Sequence, residues 1–436
     1  MLEKLKAHII ENFPFLENKK LLLATSGGLD SMVMAQLFRQ LSFDIALAHC
    51  NFQLRGLESF EDQKFVEEYA EQHTIPLFVT QFDTAAFAKD YKLSTQVAAR
   101  DLRYNWFYEL LEEEQFDYVL TAHHADDNIE TFLINLSRGT GLDGLVGIPA
   151  QNDKIIRPLL FLSRQEIENY ASETNLQWRE DSSNASNKYL RNKIRHDAVP
   201  LLKQLNPLFI KSFQKTQSYL QEAQAMVEDA AIMVYQQVAQ QQGHAIHFDL
   251  LQLKRLTNYR SYLYQWLKEF GFSAWEDIYD LVESQSGKQV FSADYRLIKD
   301  RDTLLLIPNQ VNNVYEQFYI EKGTEDVKIP LKLSISKVVD RSTSSNTTIF
   351  VDESKLVYPL VLKKWHTGDS FQPFGMDGKT KKLSKLFKDE KLSLVDKEKI
   401  WVLWSAESIV WVIGLRQDER FKIENYTENI LKLEVQ

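Results

Sequence analysis

With 436 residues and a 44% hydrophobic content, the chain is long and apolar enough for two or three folded domains, and it is not a disordered chain. A formal charge of -10, taken alone, argues against a nucleic-acid partner, so charge has to be read region by region. The single cysteine, Cys50, excludes an intramolecular disulfide framework and any four-cysteine zinc or iron–sulfur site, and the opening MLEKLKAHIIENF carries acids within a helical apolar period, unlike a signal peptide, so a reduced, cytoplasmic setting is expected.

Along the first 160 residues or so, short apolar runs alternate with amphipathic ones. Strands are expected at Leu21–Thr25, Asp44–His49, Pro76–Thr80 and Asp117–Ala122, and helices at Ser31–Leu41, Ser59–Gln72, Thr95–Glu113 and Asp127–Ser137. This βαβα order predicts an α/β fold, a mostly parallel sheet with helices on both faces. Ligands of such sheets sit beyond the carboxyl ends of the strands, which directs attention to the segments after Thr25, His49 and Ala122. From about 205 to 300 the pattern reads as mainly helical, and from about 328 as short strands. The expected division is therefore a catalytic part over 1–205, a mainly helical middle part over 206–325 and a small α+β part over 326–436.

The first of those segments is Ser26-Gly27-Gly28-Leu29-Asp30-Ser31, between a strand and a helix. Two glycines permit a tight turn and close approach of a ligand to backbone. The helix N-terminus offers free N–H groups and partial positive charge, a ready anion site. Ser26 and Ser31 can add hydroxyl donors. Asp30 would be repelled by phosphate unless a cation intervenes, which suits a Mg²⁺ ligand; the bland alternative is a plain strand–turn–helix with Asp30 capping it. Gly378-Lys379-Thr380 lacks the glycine five residues upstream that a Walker loop needs, because Pro373 stands there.

The second segment is Ala122-His123-His124-Ala125-Asp126-Asp127-Asn128-Ile129-Glu130-Thr131. Asp127, Glu130 and Thr131 share one helical face. The acids could simply cap the helix. Further on, Ala98-Ala99-Arg100-Asp101-Leu102-Arg103-Tyr104 puts Arg100 and Arg103 one turn apart, facing either phosphates or solvent.

Ser-Gly-Gly-x-Asp-Ser after a first strand resembles the pyrophosphate loop of the N-type ATP pyrophosphatases, whose members cleave ATP between the α and β phosphates. His-His-x-Asp-Asp-x-x-Glu-Thr, the Arg100–Tyr104 stretch, Glu180–Asn184 with Arg191–His196, and the late stretches Gly368–Gly375 and Gly414–Phe421 together resemble one branch of that group, the tRNA(Ile)-lysidine synthetases. The resemblance implies an adenine nucleotide alpha hydrolase-like sheet followed by two tRNA-binding parts. It implies ATP and Mg²⁺ as cofactors, with Ser26 to Ser31 on the nucleotide and Asp30 on the metal. Asp30, Arg100, His123, Asp127 and Glu130 would be catalytic, the last two serving lysine's amines or the metal. It implies a tRNA(Ile) with anticodon CAU and free L-lysine as partners, with no membrane; members of the family are often homodimers. One departure stands at Phe52, where the family usually carries a histidine. A thiolase would need paired cysteines or a cluster, and an amidotransferase-like synthetase a glutaminase; the rival of another class is a non-catalytic RNA-binding protein on the same fold.

Two basic runs supply local charge. Residues 186–203 carry Lys188, Arg191, Lys193, Arg195 and Lys203 against Asp197. Residues 363–388 carry seven lysines against Asp369 and Asp377, interleaved with Trp365, Phe371, Phe374 and Phe387, which either stack on bases or build a small core.

Overall fold

A computed structural model of the chain describes residues 1–180, 190–309, 317–339 and 344–435, and it separates into two compact units, Met1–Asp229 and Ala230–Gln436. In the first, helix α1 (Leu2–Asn12) precedes strand β1 (Lys20–Ala24). There follow α2 (Leu29–Gln40), β2 (Asp44–Asn51), α3 (Leu57–His73), β3 (Leu77–Gln81), α4 (Thr84–Asp90), α5 (Thr95–Glu113), β4 (Tyr118–Leu120) and α6 (Ala125–Arg138). The short α7 (Leu142–Leu145), β5 (Gln151–Asn152) and β6 (Ile155–Ile156) lead to α8 (Arg164–Glu173).

The sheet runs in the order β3-β2-β1-β4-β6-β5, parallel except for β5, which pairs antiparallel with β6. Leu21, Leu22 and Leu23 are fully buried because a central parallel strand is covered on both faces. Leu21 and Leu23 pack with α2 and α8 residues such as Val33, Leu37 and Ile167. Leu22 packs with Phe107, Leu110 and Val119 on the opposite face. Each such leucine stabilises the fold by about 1.5–3 kcal/mol. The strand order changes direction between β1 and β4, opening a crevice there. The segments that follow these two neighbours are the two motifs singled out in the sequence.

Beyond α8, the chain continues through helices Leu190–Lys193, Val199–Leu205 and Phe209–Val238. In the second unit, a five-stranded antiparallel sheet joins helices such as Tyr259–Leu267 and Trp275–Leu281. The sequence pattern read as mainly helical here. Runs such as Leu304–Ile307 are buried throughout rather than alternating, and a continuous short apolar run fits a strand and a helix equally well. The C-terminal stretch holds a five-stranded and a four-stranded antiparallel sheet, with Leu403, Val410 and Trp411 packed against Ile349, Val351 and Leu433. Phe371 and Phe387 are buried with Leu383, Leu386 and Val402, so these aromatics of the second basic run are core; Phe374 is 41% exposed.

Candidate active site

The turn after β1 is built around Gly27, whose φ of +87° is open to glycine and strained for other residues. A Cβ there would also lie 3.4 Å from Val66 Cγ2. Ser31 Oγ donates to Gly28 O at 2.9 Å and accepts from Ser26 N at 3.2 Å, drawing the turn into a closed loop. Gly28 caps α2, whose first N–H groups have no intrahelical acceptor. Below the loop, Thr25 O meets His49 Nδ1 at 2.9 Å; burial pushes the His49 pKa down, and the imidazole serves as a neutral strut. Arg179 N donates to Gly27 O at 2.9 Å, fastening a distant segment to the turn.

A cleft of about 630 Å³ opens on this loop. Ser26, Gly28, Leu29, Asp30 and Ser31 form one wall, and His123 and Asp127 another. Gly27 gives the loop its shape without lining the cleft. Phe52, in the position of the departure noted above, is also part of the wall, with the Arg103 guanidinium 5.2 Å from its ring centre.

Helix α6 is capped at His124, whose N–H donates to Asp127 Oδ2 at 3.0 Å. The His124 Nε2 lies 3.7 Å from Asp30 Oδ1 and 3.4 Å from Asp127 Oδ2, so both carboxylates converge on one imidazole nitrogen. Asp30 is held by Arg164 Nη1 at 2.8 and 2.7 Å. Glu130 is only 1% exposed and lies behind the wall rather than in it. Arg195 clasps it, Nε to Oε1 at 2.6 Å and Nη2 to Oε2 at 3.0 Å, and reaches Asp127 Oδ1 at 3.3 Å. Burial lifts the Glu130 carboxyl above its ordinary pKa against the pull of Arg195; burial works the same way on Asp127, yet His124, His123 and Arg195 hold it below the usual range.

His123 pairs through Nδ1 with Thr121 Oγ1 at 3.0 Å. Burial lowers its pKa to about 4, so the ring is neutral near pH 7. An imidazole whose folded pKa lies below the unfolded value of about 6.5 takes up its proton more readily in the unfolded chain. Its contribution to stability is complete above that value and is lost as pH falls from about 6.5 toward 4. In urea titrations across this window, the wild type is expected to lose on the order of 2 kcal/mol more than His123→Gln. Parallel curves for the two proteins would contradict a depressed His123.

Arg100 is exposed and outside the cleft, its guanidinium over the Tyr104 ring at 4.8 Å, while Arg103 faces inward. The basic run at 186–203 meets acids of the site itself: Arg191 reaches Thr131 Oγ1 at 2.8 Å and Glu130 at 3.6 Å, and Lys203 pairs with Asp126. Lys188 and the stretch Asp181–Asn184 lie outside the described residues. Sequence reasoning passed over Arg164, Trp178 and Arg179, all of which line the cleft; His196, at the end of the recognised Arg191–His196 stretch, lines it too. One signal for Arg164 was present: Ser163-Arg164-Gln165-Glu166 is a capping box, and it forms, setting the helix start that aims Arg164 at Asp30.

Magnesium is commonly bound through one or two carboxylates together with substrate phosphates. Asp30 and Asp127, both facing the cleft beside the loop, are a donor set that fits such an ion; among the described residues no group of three or more His, Cys, Asp and Glu side chains is arranged as a cage.

Residues 1–202 match the PP-loop domain family, residues 241–309 the TilS substrate binding domain and residues 360–434 the TilS substrate C-terminal domain. The chain is 37% identical over 434 residues to the tRNA(Ile)-lysidine synthase of Parabacteroides distasonis, covering 97% of each chain. The chain belongs to the tRNA(Ile)-lysidine synthase family. Two other members of this lysidine synthase family are those of Bacteroides thetaiotaomicron, 36% identical with 96% and 95% of the two chains covered, and of Bacillus subtilis, 30% identical with 92% and 91% covered. The PP-loop match of this lysidine synthase family member spans both walls of the cleft.

Proposed function

We propose that the protein is a tRNA(Ile)-lysidine synthase, which uses ATP to join L-lysine to the wobble cytidine of the isoleucine tRNA with anticodon CAU. The observation that carries the reading is the joining of the Ser26–Ser31 loop and the His123–Glu130 segment around one cleft at the change of strand direction, in a chain of this family.

Cytosine O2 cannot leave as oxide. In the proposed first step O2 attacks the α-phosphorus of ATP, the bond to the β-phosphate bridge breaks and PPi leaves, giving an O2-adenylated cytidine. In the second, the neutral ε-amine of lysine forms a bond to C2, the C2–O2 bond breaks, AMP departs and the amine gives up a proton. The product, lysidine, shifts decoding from AUG to AUA. Bound Mg²⁺ would offset the negative charge of the phosphates. The chain's own work is positioning and charge stabilisation. The 26–31 turn would grip the β and γ phosphates through backbone N–H groups and the Ser26 and Ser31 hydroxyls, and Asp30, with Asp127 beside it, would hold a Mg²⁺ ion bridging to them. Arg103 and Arg191 face developing negative charge. The Asp127 and Glu130 carboxylates attract lysine's ammonium group, and neutral His123 offers a hydrogen bond. Arg100 is assigned to the tRNA, outside the cleft.

Extruding an anticodon base into a pocket fits the way single-stranded loops are recognised. The parts over 206–325 and 326–436 are assigned to the body of the tRNA, with Lys363 to Lys388 as one contact surface. A cytoplasmic location follows from the substrates; a homodimer is the assembly the family resemblance suggests, decided by sedimentation.

The test is PPi and AMP release from the full chain. Release is expected only with tRNA(Ile) carrying CAU and not with methionine tRNAs, and mass spectrometry of the tRNA should show one lysine added. ADP in place of AMP, or equal activity on methionine tRNAs, would overturn the reading.

A further inference from the structure

A second cleft, of about 620 Å³, lies within the same unit and is not used in the reaction above. One wall is helix Phe209–Val238, contributing Gln214, Gln217, Ser218 and Gln221; the aromatic corner is Phe161, with the His8 ring stacked on it at 3.9 Å. No Asp or Glu lines it among the described residues, and it contains one permanent cation, Arg157.

Arg157 follows β6 at the carboxyl end of the sheet, beside β4, where Thr121 N donates to Ile156 O at 2.9 Å. The residue is only 4% exposed. Nη1 donates to Pro149 O at 2.8 Å, but among the described residues Nε finds no acceptor and no carboxylate pairs with it. A buried guanidinium without a counter-charge is costly and invites an anion. A second donor is unmet in the same cleft. Gln217 is also 4% exposed; its Oε1 accepts from Asn128 Nδ2 at 2.7 Å, leaving Nε2 without an acceptor among the described residues. The Gln217–Asn128 pair fills the space beside the bare Cα of Gly147, where a side chain would collide with both amides. Both orphaned groups are donors, and a ligand must bring acceptors.

We propose that this second cleft binds a small oxyanion, a carboxylate or a phosphate, with Arg157 as counter-charge and Gln217 as second donor. The two clefts share α6: Asp127 lines the first and Asn128 the second. On the reaction proposed above, and resting on that reading, one available oxyanion is the α-carboxylate of lysine; the other source is a phosphate.

Calorimetric titration of the full chain, without tRNA or ATP, separates these. L-lysine is expected to bind about tenfold or more tightly than L-lysinamide and cadaverine, which lack the carboxylate. That preference should vanish in Arg157→Gln and weaken in Gln217→Leu. Ser218→Trp, on the exposed rim, fills the cleft while leaving Arg157 in place, and should also abolish binding if Arg157→Gln folds poorly. Inorganic phosphate binding that depends on Arg157, with lysine indifferent to it, assigns the same oxyanion site to phosphate. If neither anion binds, or if binding is unchanged in Arg157→Gln and Ser218→Trp, the site does not exist. Because no turnover is read, loss of this site would leave the PPi assay, and the function it tests, standing.

Discussion

Asp30→Ala is expected to lower tRNA-dependent PPi release by about 10²–10³-fold, the usual cost of removing one charge-stabilising group from an active site. The side chain stands between the phosphate-gripping turn and the His124–Asp127 cap of α6, paired with Arg164. At 28% side-chain exposure it is no core residue, so the fold should survive its removal. The effect on binding and on turnover should differ. Without the carboxylate, the Arg164 guanidinium is released beside the loop and can pair with phosphate directly. ATP affinity should therefore fall much less than kcat, and magnesium should cease to improve ATP binding. Arg164→Met should behave in the opposite sense, keeping the magnesium dependence while weakening the nucleotide. Turnover of Asp30→Ala close to wild type would remove this residue from the machinery.

The features legible in the sequence were those with local causes. Helix α5 begins and ends where the sequence reading put it, at Thr95 and Glu113, and Ser94 caps its start by accepting from Val97 N. Four of the five parallel strands of the sheet were visible as short apolar runs between turn residues, to within one or two residues at their ends, while the two-residue β6 was too short to show. Asp30, His123 and Asp127 were readable because each lies within a few residues of a strand end, where such sheets bind ligands. What escaped depends on the return of distant chain. Arg164 is 134 residues from the carboxylate it holds, and Arg179 is 117 from Asp62. Arg195 belonged to a recognised basic run, but nothing in that run says that its charge is spent on Glu130 rather than on solvent or phosphate. Trp365, Phe371 and Phe387 show the same limit from the other side: interleaved lysines and aromatics describe a stacking surface and a small core equally well, and burial decides for core at Phe371 and Phe387.

Glu130 offers the sharpest separation of fold from chemistry. Its pKa is raised by burial even with Arg195 alongside, so the ionised form is the one the fold tolerates less well. Glu130→Gln removes the charge, keeps the shape and still offers Arg195 one acceptor. Its melting temperature should stay within about 4 °C of wild type, a shift worth about 1 kcal/mol in a domain of this size. Glu130→Ala instead leaves a void and an unclasped guanidinium. Breaking a fully buried pair costs about 3–5 kcal/mol, and because Arg195 keeps 34% of its side chain exposed, a loss of about 2 kcal/mol is expected. If the carboxylate attracts lysine's ammonium group, the two variants should share a different defect. Both should release PPi with tRNA and ATP, since adenylation does not involve lysine, and both should form about 10²-fold less lysidine at a fixed lysine concentration. A stable Glu130→Gln protein with normal lysidine formation would reduce this residue to an anchor for Arg195, and the lysine contact would have to come from Asp127 alone.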